Sequence, residues 1–483
     1  MKLIVATGLL ATTLFLPLGS SAAHIGMMAN LIVGNPENPF DPDYEQEWAT
    51  FYQQLQQAKK EGVSSIAVDF WWGLIEPEKN QYRFQYFRRI TDLIVKAGLK
   101  IEMNIATHRL GDNVGDRGTI DIPSYIWTEH IGEPGVPDAN ALKYKSEFGN
   151  YSTETVSAFG SQYIKPDLER LYRAIIQEFS DIAKHVIAIS FSAGAAGELR
   201  YPSFNIHDRE NGAHWPNRGA LQIYSDLAIK SFQDFVRFKY NRNILTVNSA
   251  WSSELRRFED ITPPRPEELT DQYFANPSPY RSTYKNDLFE WQNSALLEHG
   301  WRIYSQGAEI FHSDESPFKH TRLGGKVPGI DWRMRFDRSA ETTAGLIRPD
   351  LPGLKRSTFG HGYYHTVGLF RRLRYAYPES NFSMHFTALE KDDEAPDGPT
   401  GSQAKSQVFW VGQEASRQGV PIYGENALDF TMSSPKAWDN VIDALTWGHY
   451  QGIVLLRLNR LMPNPAAVAG LRRLSQYSCQ KVF

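Results

Sequence analysis

Short apolar, β-branched runs alternate with longer stretches of helical periodicity along most of this chain. Runs at 29–33, 65–70, 100–105, 186–190, 325–330, 382–387, 420–423 and 452–456 have the length and composition of strands. Between them, segments 44–61, 84–97, 167–184, 220–239, 288–311 and 403–418 carry apolar residues at helical spacing. Alternation of this kind predicts parallel strands joined by crossover helices, and eight runs is the number that a closed (β/α)8 TIM barrel needs. The spacing after the third and fourth runs is long. Pro263-Pro264-Arg265-Pro266 and Asn276-Pro277-Ser278-Pro279 then read as loop insertions at the C-terminal face of the strands, not as linkers between domains.

The first residues stand outside this pattern. Lys2, the apolar stretch 3–18 with Pro17 near its end, and the small residues Ser21-Ala22-Ala23 read as a signal peptide over 1–23, which predicts a secreted or periplasmic protein. Residues 24–483 are then expected to form one domain, with no membrane association after signal removal. A single cysteine, Cys479, excludes an intrachain disulfide. The net charge of -4 over 483 residues offers no basic surface for nucleic acid, and 12 Trp with 23 Tyr supply flat faces that suit sugar rings as well as a core.

In a parallel barrel the chemistry sits at the C-terminal ends of the strands, and polar residues recur there. Asp69 ends the second run, His108 follows the third, Glu198 follows the fourth and Lys326 lies in the fifth. Thr387 ends the sixth, Glu425 follows the seventh and Arg457 follows the eighth. Glu198 lies in GAAGELRYPSF (194–204) and Glu425 in YGENALDF (423–430), each in a glycine-flanked turn. Two carboxyl groups at one end of a barrel can divide acid and base work, the requirement of glycoside hydrolysis.

Several other patterns fail. His361 and His365 lack the intervening glutamate of a catalytic zinc motif, and Gly324-Gly325-Lys326 lacks the remainder of a phosphate loop. Asp392-Asp393-Glu394 reads as a solvated acidic loop.

The segment 194–204 and the segment His108-Arg109-Leu110-Gly111-Asp112-Asn113-Val114-Gly115-Asp116 together resemble the β-amylase family, glycoside hydrolase family 14, nearer to its bacterial members. The resemblance runs from about Ile32 onward. It implies release of β-maltose from non-reducing ends of α-1,4-glucans or maltooligosaccharides with inversion, Glu198 being the general acid and Glu425 the general base. It also implies substrate-binding roles for Asp69, His108, Asp116, Lys326, Asp331, Thr387, Asn426, Leu428 and Arg457. The chain departs from the family pattern at Leu110, Asp112 and Phe204, and at Asp331, where the family commonly has histidine. No cofactor is implied as required, and a monomer is expected. A structural calcium ion is left open, with Glu76 at one ligand position. The tandem Trp71-Trp72 is read as barrel wall more than as sugar platform. Two rivals stay open on the residues alone, a retaining barrel glycosidase and a catalytically weak glucan-binding protein.

Overall fold

Eight parallel strands close into a barrel in the computed structural model, which describes residues 23–111, 118–204, 206–274, 282–347 and 362–480. The strands are β1 (His24–Met28), β2 (Ser65–Trp71), β3 (Lys100–Ala106), β4 (Val186–Phe191), β5 (Arg322–Val327), β6 (Ser383–Phe386), β7 (Ile422–Glu425) and β8 (Gly452–Leu455). Each pairs with its neighbours in sequence, and β1 closes the ring against β8 through His24 opposite Gly452. A helix follows each strand: α1 (Glu45–Lys60), α2 (Gln85–Lys96), α3 (Lys165–Glu178), α4 (Thr283–Phe311), α5 (Tyr364–Ala376), α6 (Ala404–Gln418), α7 (Pro435–Trp447) and α8 (Pro465–Gln480). This is the expected α/β class, a (β/α)8 TIM barrel. Among the described residues, no helix is long and apolar enough to cross a membrane.

The helices form where apolar spacing gives one face to bury. On α1, Trp48, Phe51, Leu55 and Ala58 are buried, and on α2, Tyr86, Phe87, Ile90 and Ile94. Each set recurs at three to four residues, so one stripe packs on the strands while the charged face meets water.

Three strands differ from the sequence reading. The first spans His24–Met28 in place of 29–33. The run IGMMANLIV is apolar on both sides of Asn30, so composition does not mark which part pairs; close packing does. A side chain at Gly26 would lie 2.7 Å from Glu102 Oε1 and 2.9 Å from Ser65 Oγ, so only glycine lets β1 approach β2 and β3 there. The fifth strand begins earlier than read and ends at Val327, because Pro328 has no N–H for a ladder. The seventh starts after Pro421 and runs on to Glu425, so the base candidate ends the strand itself.

The barrel interior is polar at both ends. Near the N-terminal end, buried Glu102 accepts from Ser65 Oγ (2.6 Å), meets His24 Nε2 at 2.8 Å and lies 3.6 Å from Arg322, whose guanidinium covers the Tyr423 ring at 3.7 Å. Burial alone would raise the Glu102 carboxyl, but His24 and Arg322 outweigh it and hold it far below the usual carboxylate range. Met28, Ala67 and Val454 form a small apolar layer further along the strands. The C-terminal end is polar again.

Candidate active site

Asp69, at the end of β2, is fixed before any ligand arrives. Asn104 on the neighbouring β3 donates to its Oδ1 at 3.0 Å, and Arg457, just after β8, approaches its Oδ2 at 3.5 Å. The two residues Asp69 and Asn104 are register partners, so strand pairing itself sets their contact. A carboxylate held in this way presents its remaining lone pairs to hydroxyl groups.

His108 follows β3 and places Nδ1 3.0 Å from Ser192 Oγ, with its ring edge-on to Trp71 at 5.1 Å. Burial lowers its proton affinity to a pKa of about 3; Asp69 opposes this, while Lys326, Arg200 and Arg457 reinforce it. The imidazole is therefore neutral at ordinary pH. Gly197, with φ +77°, makes room for it, since an added Cβ would lie 2.9 Å from the His108 Cε1 atom. Trp71 and Trp72 are buried, as their wall role requires.

The acid candidate belongs to a turn welded onto β5. Glu198 forms an isolated parallel bridge with Lys326, and Leu199 N–H donates to the Lys326 carbonyl at 2.8 Å. Within the turn Ala196 takes a left-handed conformation, φ 57°, and its N–H donates to Glu154 at 3.2 Å. A non-glycine residue there costs about 1 kcal/mol, which the surrounding bonds must offset. Burial pushes the Glu198 carboxyl above the ordinary glutamate value; Arg200 pulls it down, and the nearby Glu425 adds to the rise.

Glu425 has different surroundings. Lys326 Nζ lies 3.0 Å from its Oε2 and 3.3 Å from its Oε1, and only the Oε1 contact has hydrogen-bond direction. Among the described residues, Oε2 is left buried without a donor. Burial works against the Lys326 charge, but Glu425 and Asp69 outweigh it and raise its proton affinity. Each glutamate is thus paired with a cation, Glu198 with Arg200 Nε at 2.9 Å and Glu425 with Lys326, and at Glu198 burial outweighs the pairing and favours the protonated form.

The remaining predicted residues act through the backbone. Asn426 is fully buried and its Oδ1 accepts from Leu456 N–H at 2.8 Å, tying the base loop to the end of β8. Leu428 N–H donates to Glu390 at 2.9 Å, and Ala427 N–H does so at 3.0 Å. Thr387 Oγ accepts from Gly329 N–H at 2.7 Å. Asp331 differs from expectation: it is 1% exposed, one oxygen accepts from Ser402 Oγ at 2.9 Å and the other pairs with Lys391. Its carboxylate therefore anchors a neighbouring loop, not an open subsite. Asp116 and Asp112 lie outside the described residues.

Asn104, Ser192, Arg200 and Glu390 were missed by the sequence reading. The acidic run lies in a loop as read and also has local partners: Asp393 accepts from Ser406 N–H at 2.9 Å and Glu394 from Thr400 N–H at 3.1 Å. Both carboxylates cap local turns while staying partly open to solvent.

A calcium ion does not fit at Glu76. That carboxylate is fully buried, accepts from Trp72 Nε1 (3.1 Å) and Asn80 N–H (2.9 Å), and faces Arg170 Nε at 3.5 Å. Arg170 also donates to buried Asp167 at 2.8 Å. A guanidinium already supplies the positive charge between these two acids, and a divalent cation beside it would be repelled. Among the described residues, no group of three or more His, Cys, Asp or Glu is arranged to hold a metal.

Comparison with known proteins adds family to geometry. Residues 44–481 match the model of glycosyl hydrolase family 14. The thermophilic beta-amylase of Thermoanaerobacterium thermosulfurigenes is 33% identical over 424 residues, covering 87% of this chain and 70% of that protein. The beta-amylase of Bacillus cereus is 29% identical over 488 residues, covering 98% and 79%. The crystal structure of the catalytic domain of beta-amylase from Paenibacillus polymyxa superposes with a TM-score of 0.76 at 26% identity, covering 94% of this chain and 98% of that one.

Proposed function

Because the chain belongs to glycosyl hydrolase family 14, and is a glycoside hydrolase that removes maltose from the chain ends of starch-type glucans, we propose that Glu198 and Glu425 carry out that hydrolysis with inversion. Glu198 is the general acid and Glu425 the general base. The observation that carries this assignment is that burial outweighs the Arg200 pairing at Glu198, whereas Glu425 keeps one buried oxygen free of donors among the described residues. Glu198 sits where burial favours the protonated form, while Glu425 has an ammonium 3.0 Å away and one oxygen with no donor.

The steps follow from those settings. Glu198 gives its proton to the glycosidic oxygen as the bond from that oxygen to the anomeric carbon breaks. The donor-free Oε2 of Glu425 takes a proton from water, and the water oxygen bonds to the anomeric carbon from the opposite face of the ring. The new hydroxyl is then β. Glu198 ends ionised and Glu425 protonated, and exchange with solvent restores both.

Binding roles follow the same logic. Asp69, prepositioned by Asn104 and Arg457, accepts from sugar hydroxyls, and neutral His108 offers an uncharged imidazole beside it. Asn426, Leu428 and Thr387 shape the loops around the base. Asp116 is proposed as a residue of the segment that closes on substrate. The chain is also proposed to act as an exported monomer without a required metal; N-terminal sequencing of secreted protein that began at Met1 would contradict the export reading.

Glu198→Gln tests the acid assignment. It is expected to lower maltopentaose hydrolysis by about 10² or more while leaving oligosaccharide affinity near wild type. Hydrolysis close to the wild-type rate would refute it.

A further inference from the structure

Arg200 lies against the acid carboxyl in a site where a permanent positive charge works against a proton donor. Its Nε donates to Glu198 Oε2 at 2.9 Å, with the arginine side chain 6% exposed and the glutamate 15%. Glu198 itself has extended backbone, φ -92° and ψ 152°, and the turn that follows it brings the Arg200 side chain back onto the same carboxyl. Arg200 N–H also donates to the Glu198 carbonyl at 2.8 Å, which closes the turn. Charged groups reach the acid from three elements: Arg200 from its own turn, Lys326 from β5 and Glu425 from β7. Lys326 is committed to Glu425 at 3.0 Å, which among the described residues leaves Arg200 as the cation bonded to the acid.

We propose that Arg200 is a positioning residue for the acid: its guanidinium fixes which Glu198 oxygen faces the substrate and sets the upper pH at which that carboxyl still delivers a proton. The proposal rests on Glu198 being the general acid. Binding through Oε2 leaves Oε1 as the oxygen that carries the proton to the leaving group, because a carboxyl donating from Oε2 would point its hydrogen at a cation with no acceptor. Arg200 thereby trades proton affinity for orientation. A guanidinium beside a carboxylate lowers its pKa by about 1 to 3 units, so without Arg200 burial would raise the proton affinity of the Glu198 carboxyl further.

The test is the pH dependence of kcat/KM with two substrates, maltopentaose and α-maltosyl fluoride, whose fluoride leaves with little need of a proton. In Arg200→Gln the alkaline limb is expected to move up by at least about one unit while the acid limb stays in place. Maltopentaose hydrolysis is expected to fall on the order of tenfold further than fluoride hydrolysis, since only the first needs the aligned acid. Arg200→Lys, which keeps the charge but not the fork, should retain the wild-type limb with a reduced kcat. An unmoved alkaline limb in Arg200→Gln, or an equal fall for both substrates, overturns the proposal. Should Arg200→Gln not fold, a shifted limb in Arg200→Lys overturns it equally. Failure of the acid assignment would be seen separately, as retained maltopentaose hydrolysis in Glu198→Gln.

Discussion

Replacing Lys326 by methionine removes the ammonium from the base with little change in volume. At 3.0 Å and an effective dielectric of about 20, the pair with Glu425 is worth roughly 5 kcal/mol of direct attraction. Both side chains are mostly buried, at 15% and 6% exposure, so solvent screens little of it. Truncating one partner of such a pair costs about 3 to 5 kcal/mol because the other charge stays buried. One pH unit corresponds to about 1.4 kcal/mol, so even a third of that cost moves the acid limb of the kcat/KM profile upward by about one unit. The alkaline limb should move much less. The assay is the pH–rate profile on maltopentaose, with oligosaccharide affinity measured in the Lys326→Met, Glu198→Gln double variant to separate binding from chemistry. An acid limb that coincides with wild type would refute the role given to Lys326.

Further outcomes follow from single contacts. Glu102→Gln leaves Arg322 buried near a neutral partner and should cost about 3 to 5 kcal/mol in urea unfolding at pH 7. Since the Glu102 carboxyl is held below its unfolded value, its contribution is complete above the ordinary carboxylate range and is lost only as pH falls through its folded pKa; equal stability of variant and wild type at pH 7 would contradict this. Gly197→Ala forces a side chain into a φ of +77° against His108, and should cost about 1 kcal/mol or more of stability and lower kcat/KM. Chelation by EDTA should leave the Tm unchanged, whereas Arg170→Met should lower it; a Tm that drops on chelation would restore a metal to the Glu76 region.

The barrel, and the placement of most of the candidate site at its mouth, were legible because both depend on short-range patterns. Strand ends are marked by β-branched runs, and six of the predicted residues, Asp69, His108, Glu198, Lys326, Glu425 and Arg457, come together around one mouth. The first strand was misplaced because its boundary depends on how closely Gly26 approaches Glu102, a tertiary fact with no local sign. The fifth and seventh shifted because prolines set their ends, which a stricter use of Pro328 and Pro421 would have shown. Two missed residues did leave a signal. In KIEMNIA, Glu102 and Asn104 alternate with Ile101, Met103 and Ile105, the mark of a strand whose inner face is polar. Arg200 stands two residues from Glu198, and the tight turn between them keeps the two side chains in contact. Glu390 left none, because its two backbone partners come from a loop 37 and 38 residues away.

The central claim is inversion by a split acid and base, and the anomeric form of the first product tests it most directly. Proton NMR of maltopentaose digestion, recorded before mutarotation, should show β-maltose appearing from the non-reducing end. Initial α-maltose would mean retention and a nucleophilic role for Glu425, and absence of any product would leave a glucan-binding barrel in place of an enzyme.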